Sequence, residues 1–287
     1  MTVTGSNASM LSRELGTKLT GRHLTYEMFP FSFNEFCGFT AMGHDHASTR
    51  QYMKMGGFPA FLASKQAVVL NELVNDLIYR DISVRYNVRD AQTLKRVASF
   101  LLSNVGNLVS ATKMKAQMGV GSATTMNEYL SYFNECYLFD FVSKFSYSAK
   151  ARIVSPRKVY CVDSGIVNVS GARFSDNEGH ILENMAYMAL RRLNKDIYYF
   201  NNQLGECDFI VAEGLVPSMA IQVCHKLSEE NRTRETKGLL LAMDELNITN
   251  GIIVTTEQED TIIESGKRIE IIPFHKLDKH LADIQQP

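Results

Sequence analysis

The sequence predicts a mixed α/β protein made of several units, and three observations lead there. Apolar residues recur at helical spacing in the first half, as at Val69, Leu73, Leu77 and Ile78, a one-sided stripe rather than a strand alternation. A middle block reads as three helices followed by two β-rich segments. The last block, from about Asp176, alternates helix and strand, the order of a layered α/β domain. With 287 residues, 45% of them hydrophobic, the chain can bury more than one core.

The formal net charge is −1, so any footprint for nucleic acid must be local. Cys37, Cys136, Cys161, Cys207 and Cys224 are scattered without a CxxC pair, which reads as reduced thiols in a cytoplasmic protein. No apolar run approaches the roughly 18 residues of a membrane span, and the N-terminus lacks a signal-peptide pattern. No membrane partner is expected.

Residues 1–60 should hold a strand to about Thr4, a helix over 9–19 and an aromatic-rich stretch over 26–39. Ser9 can cap that helix and Gly21 can close it. An opening strand that runs straight into a helix suggests a missing upstream part. Residues 38–49 read as a loose segment, and a helical run over 64–85 makes 61–89 a helical linker or lid. In 90–165, Leu94, Val97, Ala98, Leu101 and Leu102 stripe a first helix, 110–118 makes a second, and a third begins near Ser122. Thr125 and Glu128 have the spacing of a capping box, and Met126, Tyr129, Leu130 and Phe133 form the buried face. β-rich segments follow at 138–145 and 158–162, joined by a polar, basic connection. The unit 176–283 should run as a helix (179–193), three strands (197–200, 207–211, 219–224), a helix (228–246) and two closing strands (251–255, 268–272).

Three helices and a two-stranded ribbon are the order of a winged helix-turn-helix, whose third helix enters the major groove while the ribbon touches backbone. From Ala111 to Lys158 there are seven Lys/Arg against three Asp/Glu. Lys113, Lys115 and the wing residues Lys144, Lys150, Arg152, Arg157 and Lys158 are candidate phosphate contacts, a source of salt-dependent affinity. Thr124, Asn127 and Ser131 are candidate exposed positions on the third helix, which is poor in Arg and Lys and so weakly equipped to read bases. A packing module with an ordinary charged surface is the competing reading.

In the last unit, Glu183 lies on a helix, Asp208 in one strand and Gln222 in the next. That order resembles the PD-(D/E)XK restriction-endonuclease core, where acidic residues hold Mg²⁺ and a lysine two residues on steadies charge. Residues 222 and 224 share a strand face because side chains alternate. Both depart from the active pattern: Gln222 replaces a carboxylate and Cys224 replaces the lysine, which a thiol cannot match as a fixed positive charge. Asp208 and Gln222 are the candidate Mg²⁺ ligands, and a satisfied polar cluster on a retired scaffold is the competing reading.

The chain resembles an ATPase family of archaea and bacteria in which an AAA+ domain precedes a domain of unknown function. Its markers here are Thr4-Gly5-Ser6-Asn7, Leu19-Thr20-Gly21-Arg22, the run Phe29 to Phe36, Gly56-Gly57-Phe58-Pro59, Tyr79-Arg80-Asp81-Ile82, Asp163-Ser164-Gly165, Glu183-Asn184 and Cys207-Asp208-Phe209. The resemblance implies that 1–60 is the end of the ATPase core. It implies a nucleotide-sensing position at Ser6 or Asn7, with Arg22 as a further charge sensor. No Gly-x-x-x-x-Gly-Lys-Ser/Thr occurs, so no lysine-bearing phosphate loop is present, and ATP is expected only with an upstream segment.

The function expected is the C-terminal portion of an AAA+-type ATPase, DNA-engaging or regulatory, with a degenerate nuclease-like domain and no catalysis of its own. An active Mg²⁺-dependent nuclease and a protein-interaction module are the alternatives. The expected partners are DNA, an upstream ATPase segment or another protein.

Overall fold

The computed structural model describes residues 26–171 and 178–285. The expected first strand and helix, with Ser6, Asn7 and Arg22, lie outside the described residues.

Helix α1 (Phe33–Thr40) opens on a capping box: Glu35 N donates to Ser32 Oγ, and Ser32 N donates to the Glu35 carboxylate. The end of the stretch read as loose instead begins α2 (His46–Met55), started by a second box between Asp45 and Ser48. The expected run over 64–85 is divided into α3 (Pro59–Ser64), α4 (Ala67–Asp76) and a π-helical segment (Leu77–Val84). Lys65 breaks it with a left-handed backbone, φ 55°. The buried stripe is Leu70, Val74, Leu77, Ile78 and Ile82, so Val69 and Leu73 sit at its half-buried margin.

The middle unit comprises α5 (Ala91–Ser103), β1 (Leu108–Val109), α6 (Ala111–Met118), α7 (Ala123–Glu135), β2 (Phe139–Val142), α8 (Ala149–Val154) and β3 (Arg157–Cys161). Its strands form one antiparallel sheet in the order β1-β3-β2. The cap of α7 is Ser122, whose hydroxyl accepts from Thr125 N, so Thr125 lies inside the first turn and the expected Thr125–Glu128 box does not form. The basic connection contains α8. A short α9 (Ser164–Ser170) then leads out of the unit.

The last unit carries α10 (Glu178–Arg191), β4 (Asp196–Asn201), β5 (Glu206–Glu213), β6 (Val216–Val223), α11 (Glu229–Glu245), β7 (Asn250–Thr255), β8 (Asp260–Glu264), β9 (Lys267–Pro273) and α12 (Leu277–Gln285). The sheet order is β4-β5-β6-β7-β9-β8. β4, β5 and β6 form an antiparallel meander, β6 pairs in parallel with β7 after the α11 crossover, and β7 pairs in parallel with β9. Alternation along β6 serves two cores: Met219, Ile221 and Val223 pack with Met185 of α10, whereas Ala220 and Cys224 pack with Leu239 and Met243 of α11.

Two connections fix the middle unit to this sheet. Beyond β2, Phe145 N donates to Tyr199 O at 2.7 Å and Tyr199 N donates to Ser143 O at 3.1 Å, so the ribbon continues into β4. Strand β3 lies against α10, with Tyr160 stacked on Tyr187 at 4.3 Å between ring centroids. A third junction joins three separated markers. Gly57 N donates to Asp163 Oδ2 at 2.6 Å, Gly165 N and Ile166 N donate to Asp163 Oδ1, and Phe31 N donates to Gly57 O. Gly56, at φ +67°, lies so close that a Cβ there would fall 2.1 Å from Asp163 Oδ1.

Candidate functional site

A basic residue, Lys158, stands at the centre of the acidic cluster. Its Nζ donates to Glu183 Oε1 at 2.9 Å and to Asp208 Oδ1 at 2.7 Å, and all three side chains are buried. The reading of Lys158 as an exposed wing contact is therefore corrected. Alternation turns residues 158 and 160 of β3 to one side, and that side faces α10. The Tyr160 hydroxyl donates to Glu183 Oε1 at 2.7 Å, and His180 Nδ1 stands 3.7 Å from Glu183 Oε2. Burial by itself would lower the Lys158 pKa, but Asp208 and Glu183 override it and hold the ammonium above its ordinary range. Burial likewise opposes the Glu183 charge, yet Lys158, His180 and Tyr160 keep its carboxyl below the usual value. Asp208 is pushed up to about 6 by burial and by the Glu183 charge, against the pull of Lys158. It is the more readily protonated of the two acids.

Gln222 turns to a different partner. Its Oε1 accepts from Asp208 N at 3.3 Å and its Nε2 donates to Glu235 Oε2 at 2.9 Å. The amide thus bridges a backbone donor and a buried carboxylate, a task that a carboxylate at 222 could not perform. Glu235 on α11, itself paired with Arg234, is a member of the cluster that sequence reading missed. Cys224 lies on the same side, with Asn231 Nδ2 3.6 Å from its Sγ. Burial and then the Glu235 charge push its thiol up to about 11, so at neutral pH it is neither a thiolate nor a substitute for lysine.

Four of the five side-chain oxygens that would hold a divalent ion are already engaged. Such an ion takes six or more oxygen ligands. Glu183 Oε1 receives both Lys158 and Tyr160, Asp208 Oδ1 receives Lys158, and Asp208 Oδ2 accepts from Val223 N at 2.9 Å. Gln222 Oε1 is bound to Asp208 N. Among the described residues no group of three or more His, Cys, Asp or Glu side chains is placed to hold a metal ion. The residues present do not fit Mg²⁺ in this arrangement.

The remaining basic positions lie apart from that cluster. A groove of about 700 Å³ runs between the start of α6, α7, α8 and the start of β3, and its lining includes Ser110, Asn127, Arg152, Arg157 and Tyr198. Arg157 lies over the Phe141 ring at 5.0 Å. Burial lowers its pKa, although a guanidinium stays charged throughout the ordinary pH range. Arg152 donates to Ser146 O at the groove edge. Thr124, Asn127 and Ser131 are exposed along one side of α7, and Lys113 and Lys150 are also exposed. Lys115 and Lys144 are half-buried, and the backbone around Lys144 is held by β4.

Comparison with known proteins divides the chain into three matched stretches. Residues 1–37 match the family model of an AAA domain. Residues 46–176 match a domain of unknown function, DUF8612, and residues 178–277 match another, DUF4143. The uncharacterized protein MJ1544 of Methanocaldococcus jannaschii is 31% identical across 96% of this chain and 67% of its own length. The chain belongs to the same family as that archaeal protein. An uncharacterized protein of Haemophilus influenzae is 29% identical across 95% of this chain and 70% of its own length. The AAA and DUF4143 matches relate this family to the C-terminal part of AAA-type ATPases. Lys158 falls in the first of the two unknown domains and Glu183 and Asp208 in the second, so the buried triad bridges them. Among the described residues no helix is long and apolar enough to cross a membrane.

Proposed function

We propose that this chain is a DNA-engaging, regulatory C-terminal portion of an AAA-type ATPase, in which 90–165 acts as a winged helix and 176–283 as a nuclease-like domain that does not cut. ATP binding, on this reading, belongs to an upstream segment, with Ser6, Asn7 and Arg22 sensing the nucleotide. The groove beside α7 carries the proposal. It sets a half-buried Arg157, stacked over Phe141, and an edge Arg152 next to the exposed Asn127, the mixture of fixed charge and side-chain amide that phosphate and base edges recruit. The three helices and the β1-β3-β2 sheet support the winged-helix reading. The α10-β4-β5-β6-α11-β7 order, with β6 parallel to β7, supports the nuclease-like one. Asp208 and Gln222, the expected Mg²⁺ ligands, are engaged by Lys158, Val223 N and Glu235, which argues against cleavage.

The test is fluorescence anisotropy with labelled duplex and single-stranded DNA, with and without Mg²⁺, followed by a denaturing gel. Binding that weakens steeply with salt and leaves the DNA intact is the expected result. A second reading, a protein-binding module, is favoured by one observation: Ile153 and Val154 on α8 are 82% and 70% exposed beside the same groove. Absence of DNA binding at low salt would transfer the groove to that role.

A further inference from the structure

Lys158 is the cation of the nuclease-like centre. We infer that this centre, if the nuclease-like reading of 176–283 holds, is occupied by a lysine from the neighbouring domain in place of a divalent ion. It thereby serves as a charged joint between the two domains instead of a hydrolytic site.

Three features carry the inference. The first is position: one ammonium is shared between Glu183 Oε1 and Asp208 Oδ1 at 2.9 and 2.7 Å, where a bridging ion would sit. The second is satisfaction. Tyr160, Val223 N and the Asp208–Gln222–Glu235 chain of hydrogen bonds engage most of the polar atoms around it, and His180 Nδ1 stands 3.7 Å from Glu183 Oε2; a permanent structural ion pair requires such partners. The third is attachment. Lys158 is on β3, the central strand of its sheet, and Asn184, adjacent to Glu183, binds both backbone groups of Cys161. The ammonium is delivered by a rigid element and is not a side chain that strayed inward. Gly106 belongs to the same junction: at φ +82° it leaves no room for a Cβ, which would lie 2.7 Å from His180 Nδ1.

The chemical consequence is specific. A single buried positive charge neutralises one of two close carboxylates, but it has no open coordination position on which to bind and acidify water. Removing it leaves Glu183 and Asp208 facing each other with His180 as the nearest cationic neighbour, a pair of hard oxygen donors suited to a divalent cation.

The test uses the full chain and Mn²⁺ as the probe, in wild type, Lys158→Ala, Asp208→Asn and the Lys158→Ala/Asp208→Asn double variant. Calorimetry and thermal melting are followed as Mn²⁺ is raised to about 1 mM, a concentration that a two-carboxylate site should respond to. Wild type should show no stoichiometric binding and no shift of its melting temperature. Lys158→Ala should bind one Mn²⁺ and melt higher in its presence, and the double variant should do neither. Should Lys158→Ala unfold without metal, Mn²⁺ should restore its far-ultraviolet dichroism, and the double variant should stay unfolded. Wild-type binding of Mn²⁺ that Asp208→Asn abolishes would overturn the inference while leaving the nuclease-like reading intact. A Lys158→Ala chain that neither binds Mn²⁺ nor is refolded by it would overturn both.

Discussion

Asn184 holds strand β3 by both backbone groups of a single residue: Cys161 N donates to Asn184 Oδ1 at 2.8 Å, and Asn184 Nδ2 donates to Cys161 O at 3.0 Å. The pair is buried and joins the two domains of unknown function. Removing a buried hydrogen-bonding group leaves its partners unsatisfied at a cost of roughly 1–3 kcal/mol. Asn184→Ala should therefore cost about 2 kcal/mol in denaturant unfolding, and Asn184→Asp more, because a carboxylate cannot donate to Cys161 O. Equal stability of Asn184→Asp and wild type would show that the clamp contributes nothing.

Gln222 and Glu235 make a second separable contact. Gln222→Glu sets a carboxylate against Glu235 at a distance that is now 2.9 Å, and an uncompensated buried charge costs on the order of 3 kcal/mol. The double variant Gln222→Glu/Glu235→Gln exchanges the two groups and should recover most of that loss. Additive losses in the cycle would mean that the two side chains do not interact.

Asp163 should give the protein an unusual acid response. Burial raises its carboxyl from 3.8 to about 6, against the pull of amide donors from Gly57, Ile166 and Gly165. A folded-state pKa above the unfolded one adds stability at low pH that is lost as pH rises through about 6. Two units correspond to about 3 kcal/mol. Wild type should accordingly gain about that much over Asp163→Asn as pH falls from 7 to 4, measured by urea unfolding. A constant difference between the two proteins would contradict the shift. The same junction makes Gly56→Ala costly, by about 3 kcal/mol, since the backbone there is left-handed and the new methyl meets Asp163.

The strand and helix order of residues 178–255 was readable because periodicity survives there, as where β6 alternates between two cores, whereas β8 (Asp260–Glu264), an edge strand with only Ile262 buried, gave no such signal. Helix α2 was missed because its signal is a local cap, Asp45 with Ser48, inside a stretch whose glycine and histidines read as a loop. The start of α7 near Ser122 was legible but its cap was not, since Ser122 and Thr125 both suit one and only geometry chooses between them. The acidic pair Glu183 and Asp208 was legible from its element order. Its lysine was not, because Lys158 lies in another domain and looks like one more basic residue of a surface ribbon. Glu235 carried no local signal except its position on a helix beside β6.

The DNA interface is the central claim, and its most direct measurement is the salt dependence of duplex binding by wild type and by Arg152→Ala/Arg157→Ala, with both variants' melting curves as folding controls. Each lost phosphate contact lowers the slope of log affinity against log salt by about 0.9. The double variant should bind at least about tenfold more weakly near physiological salt, with a slope reduced by about two. Identical affinities and slopes for the two folded proteins, or wild-type binding indifferent to salt, would contradict the groove as the DNA-engaging surface.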